Sequence, residues 1–129
     1  MYFVTWRLHR SQRWLEPDER TMVTLALRHF DGLRYRLLAY VVMDDHVHVI
    51  CQPLGHHLED VIRSWKSFTA YRMQRESGRS RQVWQNEYHD RIIRNGFELR
   101  QKVAYVLNNP IRRWPSAVRY SWVWSIGSG

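Results

Sequence analysis

The sequence predicts an α+β fold: an antiparallel sheet in split βαβ order, helices on one face, and an added C-terminal helix. Three observations carry that prediction. Segments with strand-like and helix-like patterns follow one another as strand, helix, strand, strand, helix, strand, helix, the order of ferredoxin-like sheets. The two middle strands are separated only by Asp44-Asp45, which makes them an antiparallel hairpin. The 129 residues, 44% of them hydrophobic, suffice for one core but not for a (β/α)8 barrel or two domains. Residues 1–129 are therefore expected to form a single domain.

Tyr2 to Leu8 is aromatic and β-branched, the composition of a first strand. Glu16-Pro17-Asp18-Glu19 opens a helix, with proline in the first turn and acids at the positive end of the dipole. Met22, Val23, Leu25, Ala26, Leu27 and Phe30 continue it until Asp31-Gly32. Arg34 to Met43 is the second strand and His46 to Gln52 the third. Leu58 to Glu76 is periodic through Val61, Ile62, Trp65, Phe68, Thr69 and Met73, hence a second helix. The basic stretch Ser77-Gly78-Arg79-Ser80-Arg81-Gln82 is either a mobile, phosphate-facing loop or an ordinary solvated connection. Val83 to Arg94 contains a fourth strand, placed at Tyr88 to Ile93. After Asn95-Gly96, Phe97 to Asn109 is a third helix that should stop before Pro110, because proline disfavours helical geometry in the residue before it. The tail from Ile111 to Gly129 carries Trp114, Trp122 and Trp124 without a clear period.

The formal net charge is +8 and the pI near 10.2, and Lys66 and Lys102 are the only lysines. Arginine's planar fork suits phosphate. No apolar run reaches the roughly 18 residues of a membrane span, so nucleic acid leads the partner classes and no membrane partner is expected. Cys51 is the single cysteine, which excludes an internal disulfide and a multi-cysteine zinc site. The chain enters strand sequence at Met1-Tyr2-Phe3 with no signal-peptide pattern, so a cytoplasmic location is expected.

Within the third strand, His46-Val47-His48-Val49-Ile50-Cys51 puts His46, His48 and Ile50 on one side and Val47, Val49 and Cys51 on the other. The second set can be core. The two imidazoles, about 7 Å apart along a strand, can reach a single divalent ion. On the third helix, Tyr105 and Asn109 are four apart and share a face, with Asn108 also near. A phenol can form a covalent intermediate and an amide oxygen can complete a site begun by two histidines. An ion so held keeps open positions for phosphate oxygens.

These residues resemble a known family. His46-Val47-His48 is similar to the His-hydrophobic-His motif of HUH single-strand nucleases, and Tyr105 to their catalytic tyrosine on a following helix. More narrowly, the chain resembles Y1 transposases of the IS200/IS605 type, closest to the REP-associated tyrosine transposases. The resemblance runs through Val4-Thr5-Trp6-Arg7, Val42-Met43-Asp44-Asp45-His46-Val47-His48, Val83-Trp84-Gln85, Tyr88-His89-Asp90-Arg91-Ile92-Ile93-Arg94 and Tyr105-Val106-Leu107-Asn108-Asn109-Pro110. It implies a ferredoxin-like fold, Mg2+ or Mn2+, and nicking and rejoining of single-stranded DNA near hairpins through a 5′-phosphotyrosine. It also implies that Tyr105 is the nucleophile and that His46, His48 and Asn109 are metal ligands, with Asn108 the competitor for the third place. Relatives include dimers that exchange their tyrosine helices and monomers, so monomer and homodimer both stay open.

Arg7, Arg10 and Arg13, then Arg63, Lys66 and Arg72, then Arg91 and Arg94 are candidate phosphate contacts, each with a solvated charge as its alternative. Trp84 and Gln85 are candidate base contacts, through stacking and hydrogen bonding, with burial of Trp84 the equal alternative. Tyr71 is the rival nucleophile but lacks a nearby amide signature, and His56-His57 more simply reads as a solvated pair. The non-enzymatic alternative is a hairpin-binding module on the same fold. A salt-independent interaction with DNA would remove the nucleic-acid reading altogether.

Overall fold

The computed structural model describes residues 1–116 and 119–127. Five strands, β1 (Tyr2–Leu8), β2 (Tyr35–Val42), β3 (His46–Pro53), β4 (Trp84–Ile92) and β5 (Val123–Ser125), form one antiparallel sheet in the order β4-β1-β3-β2-β5. The first four strands with α1 (Pro17–His29) and α2 (Leu58–Glu76) make the expected split βαβ layer, and α3 (Gly96–Arg113) lies across the other face.

Strand alternation divides the core in two. Val4, Trp6 and Leu8 of β1 and Val47, Val49 and Cys51 of β3 pack under α1 and α2 with Leu27, Ile62 and Trp65. Burial there pushes the Cys51 thiol up to about 12, as expected of a core residue rather than a reactive one. On the opposite face Ala39, Val41, Ile50 and Val106 form a smaller cluster beneath α3. That helix packs on β2, β3 and β5. Toward β4 this face opens: by alternation it carries Phe3, Thr5, Arg7, His89 and Arg91, of which Thr5 is buried and Phe3 half-buried against α3, whereas Arg7, His89 and Arg91 are exposed.

Four expectations need correction. The third helix does not stop before Pro110 but continues to Arg113, with Asn109 and Pro110 both buried. Tertiary contacts override the local bias there: Arg113 Nη2 donates to Asp44 Oδ2 at 2.7 Å, and Trp114 joins the cluster beneath the helix. The fourth strand begins at Trp84 rather than Tyr88, because Trp84 pairs with Leu8 across an irregularity in the β1–β4 register. The tail contains β5, paired with β2 through Val41↔Val123, a strand too short to show a period; expectations for 117, 118, 128 and 129 lie outside the described residues.

The loop after α2 turns Arg79 inward rather than toward a phosphate, while Arg81 stays exposed. Arg79 is buried and clamps the β1–α1 connection: it pairs with Glu19 and donates to the Arg13 and Trp14 carbonyls at 2.8 and 3.0 Å. Burial alone would raise the Glu19 carboxyl, but hydrogen bonds from Arg79 and the backbone, with nearby positive charge, hold it below its usual value. Glu19 also closes a capping box at the start of α1 by accepting from Glu16 N–H at 2.9 Å.

Candidate active site

The β3 hairpin presents His46 and His48 on the α3 face because Val47, Val49 and Cys51 occupy the other. Their ring centroids are 4.6 Å apart. Thr5 lies directly across from His48 in the β1–β3 register, and its Oγ1 is 2.7 Å from His48 Nδ1. His46 Nδ1 is 2.7 Å from Asp45 Oδ1. Each ring is therefore held through Nδ1, which aims Nε2 as the free coordinating atom.

His48 Nε2 is buried and has no hydrogen-bond partner. Burial foremost, then the positive charges of His46, Arg7, Arg112 and Lys102, pushes the His48 imidazole down to about 3. The ring is thus neutral at neutral pH. The tautomer that donates Nδ1–H to Thr5 leaves a bare lone pair at Nε2, and an unsatisfied buried acceptor costs about 1–3 kcal/mol unless a ligand takes it. The Asp45 carboxyl is held low chiefly by its hydrogen bond with His46, which outweighs its partial burial.

The helix α3 supplies the remaining groups. Lys102, Tyr105, Asn109 and Arg112 recur at three- and four-residue spacing and so form one stripe. The Tyr105 ring sits 5.4 Å from His48 and 5.9 Å from Phe3, and Tyr105 remains 39% exposed. Asn109 is buried whereas Asn108 is exposed, so it is Asn109 that turns toward the sheet. Among the described residues no three His, Cys, Asp or Glu side chains are grouped to hold a metal. An ion at the two imidazoles would need an amide as third protein donor, and the donor set of two neutral imidazoles and one amide fits a divalent cation with open positions.

The sequence profile described as "Transposase IS200 like" matches residues 1–109, most of the chain. The chain belongs to the IS200-like transposase family. Among solved structures it is similar to a REP-associated tyrosine transposase bound to a REP hairpin: 24% identity, TM-score 0.71, 88% of this chain and 67% of that one covered. It is also similar to a transposase structure from Deinococcus radiodurans, with 20% identity, TM-score 0.56, and 83% and 88% covered. Both show the fold. No curated protein matches the chain. Membership in the IS200-like family implies HUH-type single-strand nuclease chemistry, and the family typically uses a divalent metal.

Against this family background, the predicted nucleic-acid residues divide. Arg7, Arg10 and Gln85 line a hollow of about 260 Å³ beside Asp45 and the exposed Trp14. Arg91 stands opposite Phe3 on the open β4 side of the α3 face, and Arg94 is exposed just beyond β4. Arg63, Lys66 and Arg72 lie instead on α2, behind the sheet: Arg63 pairs with Asp60, Arg72 with Glu76, and Lys66 Nζ donates to the Gln85 and Asn86 carbonyls. The structure removes Trp84 as a stacking platform. It is 4% exposed, meets Trp6 edge to face, and donates to Thr69 Oγ1 at 2.9 Å. The rival Tyr71 is likewise on α2, bonded to Arg75.

Residue-by-residue reading missed Thr5, Asp45, Lys102 and Arg112. Thr5 becomes visible only through strand register, and Asp45 through its neighbour. Lys102 stands three residues before Tyr105, within the predicted helix and readable from that spacing, whereas Arg112, seven after it, would have been found only had the helix been carried past Pro110.

Proposed function

We propose that this chain nicks and rejoins single-stranded DNA, with Tyr105 as nucleophile and His46, His48 and Asn109 holding Mg2+ or Mn2+. The observation that carries the reading is the surroundings of His48: fixed by Thr5 at one nitrogen, bare at the other, and in edge contact with both His46 and Tyr105. Tyr105 Oη forms a bond to the scissile phosphorus while the bond to O3′ breaks. The phenol proton passes to solvent and the departing O3′ gains one, leaving a 5′-phosphotyrosine and a 3′-hydroxyl. Attack by a 3′-hydroxyl on the phosphotyrosine reverses the exchange, so no nucleotide cofactor is needed. The bound ion supplies charge neutralisation on the phosphate.

The chain's own residues do the rest. α3 holds the phenol against the hairpin, Asp45 and Thr5 fix the imidazoles, and Arg113 on Asp44 ties the end of the helix to the same turn. Arg7, Arg10, Gln85, Arg91 and Arg94 line the approach. The substrate we propose is single-stranded DNA with a hairpin, from the family and the REP hairpin in the similar structure. Histidines and tyrosine meet within one copy, so a monomer suffices, and residues 1–129 act as one domain because β5 completes the sheet.

The test is incubation with labelled hairpin DNA and Mn2+, followed by denaturing electrophoresis. A covalent adduct in wild type that Tyr105→Phe abolishes supports the reading. An adduct that survives the substitution excludes Tyr105, and DNA binding without any adduct across a hairpin library points to the binding module.

A further inference from the structure

Arg7, Lys102 and Arg112 come from β1 and from two turns of α3, yet converge on the histidine pair: Arg7 stands opposite His46 in the β1–β3 register, Lys102 lies over Phe3, which stacks on His48 at 5.2 Å, and Arg112 lies over Tyr105, which meets His48 edge-on at 5.4 Å. None of them is in a salt bridge or a side-chain hydrogen bond among the described residues. Two of them rest on rings: Lys102 Nζ lies 5.0 Å from the centre of the Phe3 ring, and the Arg112 guanidinium 5.0 Å from that of Tyr105. Elsewhere the chain neutralises cations that converge on a buried group, as Glu19 does for Arg79 and Asp44 for Arg113. Here the nearest acid, Asp45, is engaged by His46, and Glu87, on the same face by alternation, forms no ion pair. Three like charges held together without a counter-charge repel one another, and that arrangement is stable when an anion completes it.

We propose that Arg7, Lys102 and Arg112 form a preformed cradle for one phosphodiester of the bound strand, which seats it over Tyr105 without any metal. The inference rests on the nuclease reading for its ligand class, but it separates two functions within that site. Strand capture belongs to the three cations and chemistry to the ion and the tyrosine. Lys102 and Arg112 flank Tyr105 along one helix face, so the phosphate meets cations on both sides of the nucleophile. The cradle also holds the phosphotyrosyl diester after cleavage, because that group keeps its negative charge.

The probe is a fluorescent single-stranded hairpin oligonucleotide, titrated by anisotropy in EDTA at several salt concentrations. Phosphate contacts carry no sequence information, so an arbitrary sequence serves. Lys102→Met and Arg112→Met should each weaken binding about 5- to 10-fold at low salt, and each should reduce the slope of log K against log salt by about 0.7. Arg75→Met, which removes one positive charge from α2, should change neither as much. Mn2+ affinity measured by electron paramagnetic resonance should not fall in either cradle variant, and removal of a repelling charge should if anything tighten it, which also reports that the site is folded. Wild-type affinity and slope in both variants, losses no larger than with Arg75→Met, or wild-type binding that requires Mn2+ would each overturn the cradle. A wild type that forms no adduct but shows the Lys102 and Arg112 losses overturns the nuclease reading and leaves the cradle standing.

Discussion

The two faces of the sheet treat charged groups in opposite ways. Under α1 and α2 the charge that enters is matched, Arg79 meeting Glu19 and two carbonyls; the Trp65 and Trp84 indoles donate to Tyr35 and Thr69, and the Trp6 indole is the one buried side-chain donor there left without a partner among the described residues. Beneath α3, His48 keeps a bare nitrogen and three cations share its neighbourhood without partners. The contrast is informative because folding alone selects for the first arrangement and against the second. What the α3 face leaves open is the part of the molecule fitted to something it binds.

The sharpest break between the faces comes from removing one group on each. Tyr105→Phe should abolish the covalent adduct while the folded structure and its melting temperature stay near wild type, since Tyr105 is partly exposed and its hydroxyl supports no packing. Arg79→Met should do the reverse. Leaving the Glu19 carboxylate buried and unpaired should cost about 3–5 kcal/mol of stability, with adduct formation per folded molecule retained. Denaturant titration and adduct yield, measured on both variants, check the pair of outcomes. Loss of adduct in Arg79→Met at temperatures where it is folded would show that the two faces are coupled.

A smaller effect sharpens the account of the histidines. Thr5→Val and Asp45→Ala each remove the partner of an Nδ1 without touching a proposed ligand, and each should lower Mn2+ affinity about 10- to 100-fold. Thr5→Ser, which restores the hydroxyl, should recover most of the loss. Calorimetric titration of Mn2+ decides it; equal affinity in Thr5→Val and wild type would mean that packing alone orients His48.

Much of this division was legible in the sequence. Alternation of His46 and His48 with Val47, Val49 and Cys51 fixed which side was core, and the Asp44-Asp45 turn fixed the hairpin. Tyr105 and Asn109 were readable from helical spacing. The failures have a common physical origin in long-range contacts that outweigh local preference. Pro110 would end an isolated helix, but buried packing and the Arg113–Asp44 pair carry α3 past it, and Arg112 joins the site as a result. Trp84 and Arg79 belong to residue types that serve binding surfaces, and only the register of β4 and the position of Glu19 decide that both are internal. Thr5 needed strand pairing to be seen at all.

Acid should destabilise the protein first through His48, on the α3 face. The folded value of His48 is depressed from 6.5 to about 3, so between those values the unfolded chain takes up a proton that the native chain refuses. Stability is intact above about 6.5 and falls as pH drops toward 3. Glu19, also depressed, adds its loss only below its ordinary 4.5. Denaturation midpoints in EDTA at pH 7, 6, 5 and 4 should therefore decline already between 7 and 5, and His48→Gln should flatten that segment while leaving the decline below 4.5. A wild-type curve that is level down to pH 5 would contradict the account of the buried ring.

The smallest expected difference concerns which ion the open face prefers. Imidazole nitrogens are better donors to Mn2+ than to Mg2+, which favours oxygen ligands and keeps its waters. With two of three protein donors being histidine, Mn2+ should support adduct formation at lower concentration than Mg2+, although either ion can neutralise a phosphate once bound. The difference should come from binding rather than from the chemical step. Half-saturating concentrations should therefore separate while adduct rates at saturation converge. Equal half-saturation, or a lower value for Mg2+, would mean that the oxygens of Asn109 and the phosphate dominate the site. The imidazoles would then chiefly shape the pocket, and His46→Gln should retain substantial activity with Mg2+.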